Sequence, residues 1–151
     1  MDIRDQDTIR KHRDELVKSF GGLDILVNNA GIYQKPTPEE DKFPNQAKEI
    51  LTTNYWGTKN VINTFFNDFK PNSRIVNITS ILAHVKSVPD PNTARLKVVA
   101  RERFAEVRNI AELDALVMKF QRDTESGAWE SRGWPTCSYS VSKMAINAYT
   151  R

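Results

Sequence analysis

Apolar residues along the first half of the chain change from helical spacing to short aliphatic runs and back. Helical spacing covers Asp5 to Phe20, and the following Gly21-Gly22 is expected to end that helix. Leu23 to Val27 is short and aliphatic, which is typical of a strand buried on both faces. Gln46 to Phe69 is predicted as one long helix, and Arg74 to Thr79 as a second strand. Two strands joined by a helical crossover form a parallel βαβ unit with a right-handed connection.

The remaining stretches predict further helices separated by segments that contain helix breakers. Pro71 to Ser73 is expected to form the turn before the second strand. Two polar helices are predicted at about Thr93 to Val107 and Ile110 to Ser126. Trp129 to Thr136 is expected to be irregular because it contains a glycine and a proline, and a last helix starts near Ser138.

The charge pattern argues against nucleic acid as a partner. The net charge is +3, from 22 basic and 19 acidic residues, and the charges are evenly spread. Glutamates interrupt the one basic stretch, so we interpret it as a solvated helix face. Its members are Lys97, Arg101, Arg103 and Arg108.

The sequence contains no sign of a membrane segment, a disulfide framework or a metal site. Apolar runs are short, the first residues lack the apolar core of a secretory signal, and Cys137 is the single cysteine. We therefore expect a cytoplasmic protein with no membrane partner. His12 and His84 have no partners at metal-ligand spacing, and His84 is interpreted as a loop histidine. Trp129 and Trp134 either wall an apolar pocket or close the preceding segment onto the protein body.

The strongest chemical signal is Tyr139 followed four residues later by Lys143, both in the last predicted helix. Residues four apart share one face of a helix. A lysine ammonium beside a phenol favours the phenolate, so such a tyrosine can exchange a proton with a reacting oxygen near neutral pH. The alternative is an ordinary solvated pair on a helix surface.

Three upstream positions extend this signal. Ser80 directly follows the second strand, at the end of a parallel sheet where ligands bind, and its hydroxyl can stabilise negative charge on a substrate oxygen. Asn54 is a poor helix former in the middle of a helix. The small residues of Asn28 to Gly31 let the backbone approach a cofactor closely. Taken singly, Ser80 is better interpreted as a turn serine, and Asn54 fits helix packing equally well.

In this order, the motifs resemble the short-chain dehydrogenase/reductase family over essentially all 151 residues. Gly133-Trp134-Pro135 before the tyrosine, together with a long preceding insert, is similar to the carbonyl reductase branch. The resemblance implies an α/β fold: a partial, doubly wound parallel sheet of Rossmann type. It also implies a single partial domain over residues 1–151, with a helical insert at about 88–133.

The resemblance implies a role for each matching residue in an NADPH-dependent (NADP) reductase. Tyr139 is the general acid, Ser80 orients the carbonyl, Lys143 holds the nicotinamide ribose, and Asn54 anchors a water that relays protons to the lysine. The implied catalytic set is Asn54, Ser80, Tyr139 and Lys143. The implied cofactor-binding set is Asp2, Ile3, Asn29, Ala30, Gly31, Tyr139 and Lys143.

The implied substrate is a small carbonyl compound, namely a ketone, an aldehyde or a quinone. The insert implies a monomeric parent enzyme, because in the resembling reductases it covers the helix face that relatives use to form oligomers. A hydroxysteroid-type dehydrogenase is the alternative within the family, and the insert argues against it.

The 151 residues contain no glycine-rich turn after a strand to bind a cofactor pyrophosphate. We therefore expect a fragment of a longer reductase, truncated at both ends and inactive alone. Its two strands are expected to expose unpaired edges. The other class of function is a non-enzymatic truncated isoform or partial gene product.

Overall fold

The computed structural model of the protein describes residues 1–35, 42–83 and 91–151. The elements in chain order are helix α1 (Gln6–Phe20), strand β1 (Leu23–Asn28), helix α2 (Phe43–Leu51), a π-helical turn (Thr52–Gly57), helix α3 (Thr58–Phe65), a 3-10 turn (Phe66–Asp68), strand β2 (Phe69–Asn77), a second 3-10 turn (Ile81–Ala83), and helices α4 (Pro91–Glu106), α5 (Ile110–Glu125) and α6 (Ser138–Tyr149). His84 and the first residues of the predicted insert, 88–90, lie outside the described residues.

Helix α1 confirms the first predicted helix and shows why it begins and ends where it does. The Asp5 carboxylate accepts hydrogen bonds from the backbone N–H groups of Asp7 and Thr8, which satisfies donors at the helix start. At the other end, Gly21 adopts the left-handed conformation with φ 71°, and its N–H bonds to the Val17 carbonyl. A glycine meets this requirement without strain.

Strands β1 and β2 pair in parallel, as the βαβ pattern predicted. Leu23 pairs with Phe69 and Ile25 with Arg74, so β2 contains additional residues between these two pairs. Pro71 to Ser73 lie there, and Asn72 has a φ of 65°. The predicted turn is therefore an irregularity within a longer strand, which starts at Phe69 rather than at Arg74.

The prediction that β1 is buried on both faces is wrong. Ile25 and Val27 are 61% and 54% exposed. Helices α1 and α3 cover only the other face, where Leu26 packs against Ile9 and Val61. Within the described residues, no element covers the face that carries Ile25 and Val27, so these aliphatic side chains remain in contact with solvent.

The long crossover helix begins at Phe43 and contains a π-helical turn that the sequence did not predict. Backbone angles at Leu51 and Thr58 are helical, so α2, the π turn and α3 follow one another without a break. A Cβ atom added to Gly57 would lie 2.8 Å from Cδ1 of Ile3. The absence of a side chain at Gly57 therefore permits the close approach of Ile3.

Helices α4 and α5 confirm the two helices predicted for the insert, and they pack on α2 and α6. Phe43, Phe120, Trp129 and Trp134 form one buried aromatic cluster with ring centroids 4.9–6.5 Å apart. The two tryptophans therefore close the insert onto the protein body, which was one of their two predicted roles. No helix in the described ranges has both the length and the apolarity to cross a membrane.

The predicted solvated basic face is correct for two of its four members. Arg101 and Arg108 are exposed, whereas Lys97 is buried. Arg103 is partly buried, since its guanidinium lies 4.7 Å from the ring centroid of Trp134 and donates to the Arg132 carbonyl. The interleaved glutamates predicted a solvated surface. Instead, Arg103 contacts the aromatic cluster and Lys97 bonds to the turn after β2.

A buried carboxylate, Asp123, fixes the end of the insert. It accepts hydrogen bonds from Nζ of Lys119 (2.6 Å), Nε1 of Trp134 (2.7 Å) and the Arg132 guanidinium. Burial alone would raise the pKa of Asp123, but these three donors outweigh burial and hold it below its ordinary value. The ionised form is therefore the stable one in the fold.

We predict that Asp123→Ala lowers the free energy of unfolding by about 2 kcal/mol, because it leaves the buried Nε1 of Trp134 without its acceptor and removes the ion pairs with the partly exposed Lys119 and Arg132. Glu125→Ala, an exposed acidic position in the same helix, should change it by less than about 0.5 kcal/mol. Urea unfolding measures both. The folded pKa of Asp123 is depressed, so its contribution is present above about pH 4 and is lost as the pH falls further. Equal unfolding curves for wild type and Asp123→Ala at neutral pH would contradict this.

Candidate active site

Asn54 lies in the π-helical turn and connects three parts of the chain. It is 2% exposed. Its Oδ1 accepts from the backbone N–H of Ile32 (2.8 Å), and its Nδ2 donates to the Ile32 carbonyl (3.0 Å) and to Oγ of Ser142 (3.0 Å). The side chain therefore joins the segment after β1 to helix α6. These three hydrogen bonds explain why asparagine, a poor helix former, occupies a position in the middle of a helix.

Lys143 in α6 reaches the end of the second strand. Its Nζ donates to the Ile78 carbonyl (2.8 Å), and the Ile78 N–H bonds to the Asn28 carbonyl (2.9 Å), so both strand ends meet this lysine. Lys143 is 6% exposed, and burial lowers its pKa. An ammonium carries three N–H donors, and the bond to Ile78 uses one of them.

Tyr139 and Lys143 do lie on one face of α6, but they are not a solvated surface pair. Nζ of Lys143 is 5.7 Å from the centroid of the Tyr139 ring, and the lysine is buried. The partly exposed Tyr139 ring meets Tyr33 edge to face, at a centroid distance of 5.1 Å and an angle of 89°. The phenol therefore stands between a buried cation and an exposed aromatic ring.

Ser80 is partly buried, just before the 3-10 turn that follows β2. Its Oγ accepts from the Leu82 N–H (3.1 Å), and its carbonyl accepts from the Ala83 N–H (3.0 Å). A serine hydroxyl has one donor besides its acceptor positions. The bond from Leu82 occupies an acceptor position, so the O–H of Ser80 is available to donate.

Gly31 borders the gap between Asn54 and Lys143. A Cβ atom there would lie 3.1 Å from Oδ1 of Asn54 and 3.7 Å from Nζ of Lys143. Any side chain at this position would therefore fill the space between the two polar groups. Asn29 and Ala30 precede this glycine and are exposed, as is expected of backbone that receives a ligand. The water relay assigned to Asn54 stays a prediction.

The structure does not bring Asp2 and Ile3 into this group. Arg4 forms hydrogen bonds with the Asp2 carboxylate and lowers its pKa to about 2. Ile3 packs against Gly57 and Ile9. Among the contacts described, none joins Asp2 or Ile3 to Tyr139 or Lys143. Their assignment to the cofactor adenine remains a prediction from the family resemblance.

Sequence reasoning missed two side chains of the site. Ser142 receives the bond from Asn54, and its own hydroxyl donates to the Tyr139 carbonyl (2.8 Å). Tyr33 contacts the ring of Tyr139. A signal existed for each: Ser142 adjoins Lys143 in sequence, and Tyr33 follows the small residues after β1 by two positions.

Comparison with known proteins identifies the family of this chain. Residues 1–91 match the family model described as short chain dehydrogenase. The chain belongs to the short-chain dehydrogenase family, whose members are oxidoreductases. It is 37% identical over 154 residues to carbonyl reductase (NADPH) 1 of Homo sapiens and 38% identical over 154 residues to carbonyl reductase (NADPH) 3 of Mus musculus. Each alignment covers 100% of this chain and 52% of the relative, so the chain spans about half the length of these curated relatives.

A solved structure extends the comparison to three dimensions. Menthone neomenthol reductase from Mentha piperita matches with a TM-score of 0.80 at 26% sequence identity. The match covers 100% of this chain and 63% of that one. The prediction of a partial Rossmann-type sheet is therefore confirmed.

Asn54→Ala should lower the free energy of unfolding by about 2 kcal/mol, because it leaves the partly buried N–H and carbonyl of Ile32 without their partner. Asn63→Ala, an exposed asparagine in α3, serves as the matched control and should have an effect of less than about 0.5 kcal/mol. Chemical denaturation compares the two variants. If both unfold at the wild-type denaturant concentration, the three-way connection through Asn54 contributes nothing to stability.

Proposed function

We propose that this chain carries the nicotinamide side of the catalytic centre of an NADPH-dependent carbonyl reductase. The observation that supports this most strongly is the buried ammonium of Lys143, held at the ends of both strands beside Tyr139 and facing the gap that Gly31 leaves open. The preference for NADPH and for carbonyl substrates rests on the names of the relatives at 37% and 38% identity.

The residues present fit a nicotinamide ribose. Lys143 has two N–H donors beyond its bond to Ile78, and ribose hydroxyls accept such bonds. Burial makes each of these bonds stronger than it would be in water. The backbone of Asn29 to Gly31 borders the same gap, and the missing Cβ of Gly31 leaves room for a sugar or for a water molecule.

When bound, the nicotinamide supplies a hydride to the carbonyl carbon of the substrate. Ser80 donates its O–H to the carbonyl oxygen and stabilises the negative charge that develops there. Tyr139 gives its phenolic proton to the same oxygen, which completes the alcohol. The ammonium of Lys143 stabilises the phenolate that remains, and Asn54 keeps the supporting segments in place.

We also propose that the 151-residue chain alone does not catalyse carbonyl reduction with NADPH. A pyrophosphate contributes much of the cofactor's binding through a glycine-rich turn at a helix start, and these residues contain no such turn. The chain should therefore bind the nicotinamide half of the cofactor at Lys143 without the contacts that normally hold the pyrophosphate.

Binding of the two halves can be measured separately by backbone amide chemical shifts. Reduced nicotinamide mononucleotide should move the signals of Gly31, Ile78 and Tyr139, whereas adenosine 2′,5′-bisphosphate should not. Tyr139→Phe keeps the packing and should retain the shifts, while Lys143→Met should remove them because the ribose loses its donors. Lys18→Met, on the exposed surface of α1, is the matched control and should bind as wild type does. Shifts confined to other parts of the chain would overturn the assignment of this site.

Turnover is measured with NADPH and a quinone such as menadione. We expect the 151-residue chain to oxidise NADPH no faster than its Tyr139→Phe variant. Faster turnover that Tyr139→Phe abolishes would contradict the proposed inactivity and would support the proposed chemistry. Turnover that survives Tyr139→Phe would contradict the role of the tyrosine.

A further inference from the structure

Helix α4 buries the ammonium of one lysine against the turn that follows strand β2. Lys97 is 1% exposed, and its Nζ donates to the Leu82 carbonyl (3.1 Å). Lysine is among the side chains least often buried, because its charge loses the hydration it has in water. Burial accordingly lowers the pKa of Lys97. A buried cation that bonds to a single turn of backbone requires an explanation beyond packing.

The bond from Lys97 reaches the segment that determines the position of Ser80. Leu82 accepts from Lys97 through its carbonyl and donates through its N–H to Oγ of Ser80 (3.1 Å). The next residue, Ala83, is buried, and its N–H bonds to the Ser80 carbonyl (3.0 Å). Both the hydroxyl and the backbone of Ser80 are therefore fixed by the turn that Lys97 holds.

An apolar side chain would fill the same space at a lower desolvation cost. Replacing a buried charge by a well-packed hydrophobic residue is often neutral or stabilising. It would, however, leave the Leu82 carbonyl without the donor it has now. Lys97 thus orients this turn through its hydrogen bond, and its role is not hydrophobic packing.

We propose that Lys97 is a positioning residue for Ser80, through which the helical insert controls the carbonyl-binding hydroxyl. The proposal rests on the proposed function only for the role of Ser80. By fixing Leu82, Lys97 keeps the Leu82 N–H on one acceptor position of the Ser80 oxygen, which directs the hydroxyl proton toward a substrate oxygen. The insert is thereby part of the active-site support and not only an addition to the surface.

Amide hydrogen exchange tests the positioning in the 151-residue chain itself. Lys97→Met keeps most of the side-chain volume and removes the donor, so the amides of Leu82 and Ala83 should exchange about tenfold faster. The amides of Leu26 and Lys143 should keep their wild-type rates, which separates a local effect from global destabilisation. Arg101→Met, one helical turn further along α4 and exposed, should change none of these rates. Unchanged exchange at Leu82 and Ala83 in Lys97→Met, or equal acceleration at all four amides, would overturn the proposal.

Two further measurements separate positioning from a merely structural role. The Cβ chemical shift of Ser80 should change in Lys97→Met and return toward the wild-type value in Lys97→Arg, because arginine restores a donor. If NADPH turnover is measurable, Lys97→Met should lower kcat with little change in KM, and it should have no further effect in a Ser80→Ala background. An additive effect in that background would contradict action through Ser80. Altered exchange without any turnover would support the role of Lys97 while leaving the proposed inactivity of the chain intact.

Discussion

The hydrogen bonds of the Asn54 side chain hold the candidate site together. They connect the segment after the first strand, the π-helical turn and helix α6, which are far apart in sequence. Lys143 then joins α6 to the end of the second strand through the Ile78 carbonyl. Because parallel strands end at the same edge of a sheet, these two side chains close a ring of contacts around one gap. The chemistry proposed for Tyr139 depends on this ring, since it keeps the ammonium beside the phenol.

The helical insert supports the site through three sets of polar contacts. Lys97 holds the turn that carries Ser80, and the buried Asp123 fixes Trp134, four residues before helix α6 begins. The Asp114 carboxylate adds a third connection, because it accepts from the hydroxyl of Tyr55, the residue next to Asn54, and from Lys59. The turn after β2, the π-helical turn and the start of α6 thus each have a polar contact with the insert or lie next to one. This arrangement is consistent with an enzyme that requires its proton donors to be fixed before substrate arrives.

The sequence predicted most helices and both strands and indicated candidate site residues, but it did not predict the tertiary contacts around them. Helices α1, α4, α5 and α6 lie where the sequence predicted helices, and Tyr139, Lys143, Ser80 and Asn54 lie in recognisable motifs. The π-helical turn was missed because its residues have the spacing of an ordinary helix. The exposure of Ile25 depends on which helices cover the sheet, which a strand's own sequence does not encode. Burial of Lys97 was missed because it depends on a carbonyl fifteen positions away along the chain.

The location of a bound nicotinamide nucleotide decides whether the gap beside Lys143 is the cofactor site. Intermolecular nuclear Overhauser effects between reduced nicotinamide mononucleotide and the protein measure that location in solution. We predict contacts from the ribose protons to Lys143 and Gly31, and from the nicotinamide ring to Tyr139. Contacts with the exposed sheet face at Ile25 and Val27 instead, and none with Lys143, would contradict this prediction.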